Sequence, residues 1–255
     1  MPGSIQSIER AAAVLRLLGG TGRPLGLAEL AAALDLARPT VHGIVRTLCD
    51  VGFVEQEASS GRYVLGPGLD ELRHGGWDRH DLRARAMNWA DSLAGSTGLA
   101  VHLGVPEGRA VRLVHHVFRP DDSTQRLRTG EDRPLHATAE GKCLLAFAPT
   151  ATPPARDLVL TAWTGRTCTT VAALESHLVT ARRRGWATDA GEHEPGQGGA
   201  AVPLRGSGGL VAGAIGVVGP IEELFGLGGE LRPWIAGHLV AAAREISTSL
   251  LDGAP

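Results

Sequence analysis

The run from Arg38 to Thr47, Arg-Pro-Thr-Val-His-Gly-Ile-Val-Arg-Thr, gathers two guanidiniums, an imidazole and two hydroxyls with no carboxylate among them. Such groups suit phosphate oxygens and the acceptor edges of bases, where an Arg fork pairs with guanine and a hydroxyl serves either partner. At 100° per residue Val41, Ile44, Val45 and Leu48 fall within one narrow arc. That arc must face a core, which turns Pro39, Gly43, Arg46, Thr47 and Asp50 outward and leaves Thr40 and His42 on the flanks. The residues expected to meet a duplex are therefore Arg38, Pro39, Thr40, His42, Gly43, Arg46 and Thr47, with Arg62 reaching from beside a later turn. Two features oppose this reading. Asp50 repels phosphate, and Gly43 weakens a helix even as it lets a duplex come close. The same pattern also fits an ordinary three-helix packing motif with a solvated polar face.

Other reactive side chains make weaker patterns. Glu192-His193-Glu194 places acids around a histidine, but neighbours in an extended loop point in alternate directions, and Pro195-Gly196 reads as a turn. No metal site is expected there. His115-His116 in a strand sends one ring in and one out, as a structural pair does. Cys49, Cys143 and Cys168 are odd in number, scattered and without a C-x-x-C pairing, so neither a disulfide framework nor zinc is implied. Cys143 reads as a small core residue. The chain has no G-x-S-x-G elbow, P-loop or H-E-x-x-H, so no enzyme chemistry and no cofactor is expected.

The elements that position the Arg38–Thr47 strip follow from periodicity. A helix is expected over Ser4–Leu18, stopped by the Gly- and Pro-rich run 19–24. A second helix puts Leu27, Leu30, Ala31 and Leu34 on one face. Asp35-Leu36-Ala37 is a tight connection, and Pro39 suits the first turn of a third helix that ends near Gly52. Phe53–Gln56 and Arg62–Leu65 form a hairpin. Helix, helix, turn, helix and hairpin in about 65 residues is the order of a winged helix-turn-helix.

After a short helix at Leu69–Leu72 the pattern becomes mixed. A long helix at Leu82–Leu93 precedes a hairpin of Leu99–Val105 with Ala110–Val117, and Arg126–Arg128 is a candidate strand. Helices follow at Ala139–Phe147 and Val171–Arg184, strands at Trp186–Asp189, Ala200–Arg205 and Leu210–Val218, and a last helix at Leu231–Leu251. The fold class is α+β: a DNA-binding domain over residues 1–66, a linker helix over 67–80, and an α/β domain over 81–255.

Composition bounds these readings. With 43% hydrophobic residues but only 4% aromatic, Leu, Val, Ile and Ala must fill the cores. The net charge of −2 gives no global basic field, and six arginines cancel six acids within residues 1–66. Any nucleic-acid footprint is therefore local. Lys142 is the single lysine, so Arg carries nearly all the positive charge. No signal segment opens the chain, and the longest apolar stretch, Leu210–Val218, is Gly-broken and too short to span a bilayer. The cytoplasm is expected, without a membrane partner.

Several long segments, taken in order, resemble the isocitrate lyase regulator (IclR) family of bacterial transcription factors over nearly the whole chain. They are SIERAAAVLRLL, LAELAAALDLARPTVHGIVRTLCDVGFVEQ and GRYVLGPGLDEL in the N-terminal part, then RPLHATAEGKCLLAF, RRRGWATDAGEHEPGQGGAAVPL and AIGVVGP. The resemblance implies a winged helix-turn-helix joined by a linker helix to a GAF-like effector domain. It also implies a homodimer or homotetramer on palindromic or repeated double-stranded operator DNA, with affinity modulated by a small molecule. The family's Lys-Ser-Thr-Val-His-Arg run becomes Arg38-Pro39-Thr40-Val41-His42-Gly43 here. Arg38 and Thr40 carry over as contacts, whereas Pro39 lacks the hydroxyl and Gly43 the guanidinium, so operator sequence does not transfer.

By the same resemblance the effector sits in a cup built from His136, Ala137, Thr138, Ala139 and Gly141, Asp189 with Glu192, Gly199 with Ala200, and Gly216 with Val218. Backbone N–H groups at the start of the Ala139 helix are expected to receive a carboxylate, and Asp189 a hydroxyl or amine. Relatives that sense small organic acids often carry Cys at the position of Gly199 and Ser at those of Gly216 and Val218. Their replacement here leads us to expect a larger, more apolar effector, an aromatic acid or other organic acid, or else a closed pocket. Two further classes are compatible with the sequence: a ligand-independent architectural DNA-binding dimer, and a GAF-like enzyme with a DNA-binding arm.

Overall fold

In the N-terminal unit three helices and a two-stranded wing enclose a small aliphatic core. Helix α1 (Gln6–Thr21) runs through Gly19 and Gly20 and ends only at Gly22, which takes the left-handed conformation at φ 61°. Helix α2 (Leu27–Ala33) begins where Glu29 accepts the Gly26 N–H at 2.8 Å, and α3 (Arg38–Asp50) opens with Pro39 in its first turn. Asp35 carries a positive φ of 52° in the turn between α2 and α3. Strands β1 (Val54–Gln56) and β2 (Tyr63–Leu65) pair antiparallel, Val54 opposite Leu65 and Gln56 opposite Tyr63. Tyr63 also exchanges both backbone hydrogen bonds with Leu25, at 2.8 and 3.0 Å, adding a rung that no strand pattern in the sequence signals. Val14, Leu18, Leu30, Val41, Val45, Leu48, Val54 and Tyr63 fill the core. At Gly66 a Cβ would lie 2.3 Å from the Gly52 carbonyl oxygen, so the chain leaving the wing closes down on the end of α3 only as glycine.

This computed structural model describes residues 5–69 and 78–252, and the chain divides into units over 1–73 and 74–255. Ser4 lies outside the described residues, as does most of the linker helix expected over 67–80.

The C-terminal unit is built on one six-stranded antiparallel sheet of order β5-β4-β3-β8-β7-β6. Its strands are β3 (Ala100–Glu107), β4 (Ala110–Val117), β5 (Asp132–Pro134), β6 (Ala187–Ala190), β7 (Gln197–Arg205) and β8 (Val211–Pro220). Helices α4 (Arg79–Thr97) and α8 (Pro233–Asp252) cover one face, packing Leu82, Ala86, Leu93, Leu239 and Ile246 against Leu103, Ile215 and Val217. Helices α5 (Ala139–Phe147) and α6 (Val171–Arg184) cover the other through Leu144, Leu174 and Leu178, and the short α7 (Ile221–Leu224) follows β8. The start and stop of α6 are set by local residues: Thr170 accepts the Ala173 N–H, and Gly185 is left-handed at φ 90°.

One expected strand is corrected. Arg126–Arg128 is not extended in the sheet; the edge strand is Asp132–Pro134, paired with Ala110–Arg112. A strand edge tolerates Pro134, which lacks an N–H, while Arg128 gives its own N–H to His116 Nδ1 at 3.2 Å. The two units together make the expected α+β fold, a winged helix-turn-helix and a GAF-like α/β domain. Among the described residues no helix is long and apolar enough to cross a membrane.

Candidate nucleic-acid interface and effector cavity

Helix α3 buries Val41, Val45 and Leu48 and half-buries Ile44, the arc that its period predicts. Arg38, Pro39, His42, Gly43, Arg46 and Thr47 are all exposed and Thr40 is half-buried, so the strip forms one continuous outer face. Thr47 Oγ1 donates back to the Gly43 carbonyl at 3.0 Å. Arg38, His42 and Arg46 have no hydrogen-bond or ion-pair partner among the described residues, which leaves their donors free for an incoming phosphate or base. Arg62 differs. Its Nη1 donates to Glu29 Oε2 at 2.8 Å and to the Pro24 carbonyl at 3.0 Å, tying the wing to the start of α2. Glu29 also takes the Gly26 N–H and Arg23, and these two hold its carboxyl below the ordinary range.

A cavity of about 500 Å³ opens at one side of the six-stranded sheet, with charged and hydrogen-bonding side chains set among apolar ones in its wall. Strand β3 contributes His102, β4 His116, β5 Arg133, α5 Glu140 and β6 Asp189, while the segments before β5 and after β6 add Arg128, His193 and Glu194. His102 Nδ1 meets Glu140 Oε1 at 3.0 Å with both side chains buried. Burial alone would raise the Glu140 carboxyl, but the hydrogen bond and charge of His102 outweigh it and the net shift is downward. His116 packs edge-on against His102, and burial followed by the His102 charge pushes its pKa down to about 4. Glu194 accepts from Arg128 at 2.7 Å and from Arg133 at 3.3 Å; the His193 hydrogen bond and these arginines bring its pKa to about 2. Asp189, desolvated and beside Glu140 and Glu192, is pushed up to about 7 despite the nearby Lys142.

Of the residues expected to form the effector cup, Asp189 and Val218 line this cavity. The others surround it or turn elsewhere. His136 Nε2 lies 2.9 Å from the Thr161 carbonyl, and Ala137 and Ala139 are fully buried. Thr138 caps α5 by accepting the Gly141 N–H, and it donates to the Pro134 carbonyl. Gly141 is so close to Leu135 that a Cβ would meet its carbonyl oxygen at 2.4 Å. The start of α5 is thus closed by its own cap, unlike the open N–H cradle expected. Ala200 sits in the ladder opposite Val217.

The atoms nearest Gly199 and Gly216 include carboxyl oxygens. A Cβ on Gly199 would lie 3.2 Å from Asp189 Oδ2, and one on Gly216 3.1 Å from Glu140 Oε1. These carboxyls share the space at the glycines with the Ala139 and Ala201 methyls and the Ala200 carbonyl, so polar and apolar groups both reach it from neighbouring elements.

Glu192 turns away from the cavity to an ion pair with Lys142, whose Nζ also contacts His177 Nδ1 at 3.0 Å and the Thr188 carbonyl at 3.2 Å. Ligand atoms of Cys168, His177 and Glu192 lie within 4.8 Å of one another. Yet the Lys142 ammonium already bonds two of the three, and a metal cation there would face a like charge at contact distance.

Sequence reasoning missed His102, His116, Arg128, Arg133, Glu140 and Glu194 as cavity residues. The available signal was a polar side chain inside an otherwise apolar element: His102 in Ala-Val-His-Leu-Gly-Val, and Glu140 at the head of a helix buried from Ala139 to Ala146.

Comparison with known proteins places these sites in a family. Residues 7–58 match the IclR helix-turn-helix domain and residues 74–248 the C-terminal domain of bacterial transcriptional regulators of IclR type. The chain is 47% identical to the glycerol operon regulatory protein of Streptomyces griseus, over 98% of this chain and 96% of that one. It is 46% identical to the protein of the same name from Streptomyces coelicolor, over 99% of each. Among solved structures it resembles an IclR homolog from Microbacterium hydrocarbonoxydans complexed with 4-hydroxybenzoate, at a TM-score of 0.59 and 25% identity, covering 96% of this chain and 99% of that one. With two domain models spanning most of its length and relatives this similar end to end, the chain belongs to the IclR family of bacterial transcriptional regulators.

Proposed function

We propose that this regulator binds operator DNA of glycerol-utilisation genes through the exposed face of α3, and that a small polar organic molecule in the sheet cavity sets its operator affinity. The gene class is suggested by the two relatives named for the glycerol operon. The observation that carries the effector class is the cavity wall: histidine, arginine and carboxyl groups from five elements converge on about 500 Å³. A wall with so many hydrogen-bonding groups favours a ligand rich in hydroxyls or charge over an aromatic hydrocarbon frame. Arg38, Thr40, His42, Arg46 and Thr47 supply the donors on the DNA side, with Pro39 and Gly43 allowing close approach. Arg62 acts indirectly, by fixing the wing.

The protein acts by binding alone, as a homodimer, because one helix reads only a few base pairs and two half-sites multiply specificity. The effector can change operator affinity by no more than its differential affinity for the two states of the protein. Fluorescence anisotropy on a promoter fragment from glycerol-utilisation genes tests this, with glycerol, glycerol 3-phosphate, glycerate and 4-hydroxybenzoate added in turn. A saturable complex that responds to one of the three-carbon compounds is expected. No complex, or a response to 4-hydroxybenzoate alone, would refute the proposal.

A further inference from the structure

We infer that a second copy of this chain docks on the C-terminal unit as an isologous pair, the Leu227 turn of each copy seated in an apolar groove beside helix α8 of the other. This deepens the homodimer reading above by naming a surface that holds the two chains together, and it is independent of what the sheet cavity binds.

The groove measures about 540 Å³ and runs between the C-terminal part of α8 and the end of β7. Val202, Pro203, Val240 and Leu251 line it, and Val240 and Leu251 are 44% and 54% exposed, so the face is apolar and uncovered. Along α8, Val240, Arg244, Ser247 and Leu251 recur at alternating four- and three-residue spacing, the stripe by which a helix meets a partner. The same chain carries a protrusion that fits. Phe225 bridges Leu231 and the Gly226 N–H donates to the Glu230 carbonyl at 2.9 Å, so Leu227 stands on a short, braced turn. Its side chain is 113% exposed, and the adjacent Gly226, Gly228 and Gly229 bring nothing to cover it. A leucine on a slack loop can fold back on its own surface; one held out on a braced turn stays in water until a partner covers it.

Charge and symmetry select a second copy as the occupant. Arg205 and Arg244 line the groove, neither in an ion pair among the described residues. The Leu227 turn ends on Glu230, which Arg184 holds at 3.1 Å while its side chain stays 70% exposed. Glu222 is exposed on the element before the turn, and Arg232 is turned back onto its carbonyl at 3.0 Å. The protrusion is thus apolar with carboxylates beside it, and the groove is apolar with guanidiniums beside it. A two-fold axis makes such a surface self-complementary, because each contact then occurs twice. An axis at Gly237 lies midway along the chain between Leu227 and the groove-lining Ser247, and also midway between Glu230 and Arg244. Gly237 is exposed within α8, and a Cβ on it would meet nothing within 4 Å. Its own chain has no steric need of glycine there, and glycine weakens a helix. Where two helices cross, the missing side chain lets the backbones approach closely.

Sedimentation equilibrium on the full-length protein, free of DNA and then with operator, tests the inference. The wild type is expected to be an assembly of more than one chain in solution. Leu227→Asp should weaken that association at least about tenfold. Arg244→Glu and Glu230→Arg each set like charges together at both contacts of the pair and should weaken it as well. An equimolar mixture of those two variants sets opposite charges together at both contacts and should recover the wild-type mass, a gain that misfolding cannot imitate. A wild-type assembly indifferent to Leu227→Asp, or a mixture no heavier than its components, would overturn the inference and leave the homodimer reading standing. A wild type that is monomeric in solution overturns it too, and only if the protein is also monomeric on operator DNA does the homodimer reading fall with it.

Discussion

The outer face of α3 and the wall of the sheet cavity solve opposite problems. On α3, Arg38, His42 and Arg46 stand in solvent with their donors unpaired, and the helix is held only by the aliphatic arc beneath them. Inside the C-terminal unit charged groups are drawn from water and answered by one another: His102 by Glu140 and Arg128 and Arg133 by Glu194 in the cavity wall, and Lys142 by Glu192 outside it. A duplex is itself a dense array of acceptors, so a DNA-reading surface can leave its charges waiting in water at little cost. A small-molecule site must keep its charges out of water while empty, and so needs internal partners. The difference makes one region replaceable without loss of fold and the other integral to it.

The largest expected effect sharpens this contrast at Lys142. Removing its amine in Lys142→Met leaves the buried Glu192 with His177 Nδ1, at 3.9 Å, as its one remaining ion-pair partner among the described residues, which should cost about 3–5 kcal/mol of stability, measurable by urea denaturation. Glu192→Gln added to that variant should recover part of the loss. A Lys142→Met protein as stable as the parent would show that the buried pair is not integral.

Next in size is a pH effect at Asp189. Its folded pKa of about 7 lies above the unfolded value of 3.8, so between about pH 4 and pH 7 the unfolded chain releases a proton that the folded chain retains. Stability contributed by the protonated carboxyl is therefore present at low pH and lost as the pH rises through 7, by as much as ~4 kcal/mol on linkage arithmetic. His116, lowered to about 4, acts with the opposite sign: its neutral form favours folding above pH 6.5, and that advantage is lost as the pH falls towards 4. The comparison of wild type with Asp189→Asn isolates the first group. The variant should gain stability relative to wild type between about pH 4 and pH 7, the span over which the two states of the wild type differ in bound protons; a constant difference would show that Asp189 ionises normally.

On the other side of the comparison, Arg46→Ala should leave urea stability within about 0.5 kcal/mol while weakening operator binding by about 1–3 kcal/mol if the fork reads a base. Arg62→Ala should do the reverse in kind, loosening the wing at Glu29 with a smaller and salt-dependent effect on DNA. If Arg62→Ala costs more operator affinity than Arg46→Ala, the wing arginine is a direct contact and the division between free and partnered arginines fails.

The same contrast explains what could be read from the sequence. The α3 face rests on residues within ten positions of one another, so helical period alone assigned its inside and outside, and all but one of the core-arc residues are fully buried. The cap of α6 is local in the same way, since Thr170 acts on an N–H three residues away; the equally local Thr138 cap of α5 was missed, and open N–H groups were expected in its place. The cavity pairs join residues 38 to 66 positions apart, such as His102 with Glu140 and Arg128 with Glu194, and no local period encodes them. The character of the pocket is non-local in the same way, since absent side chains at Gly199 and Gly216 say nothing about which distant carboxyl comes close to them. The edge strand was misplaced because three residues beside a proline carry too little pattern, while the unsatisfied edge of β4 decides where pairing occurs.

The smallest expected effect asks whether α3 has given up stability for its partner. Gly43 lies at the centre of a 13-residue helix, is exposed, and a Cβ built on it meets nothing within 4 Å. Intrinsic helix preference therefore favours alanine there by about 1 kcal/mol, and Gly43→Ala should raise urea stability by that order. If glycine is kept because the duplex backbone comes close to this turn, the more stable variant should bind operator more weakly, and by more than the extra methyl would cost in water. Higher stability with unchanged operator affinity would mean that the groove leaves room above Gly43, and that the reading face is carried by Arg38, His42 and Arg46 at its edges.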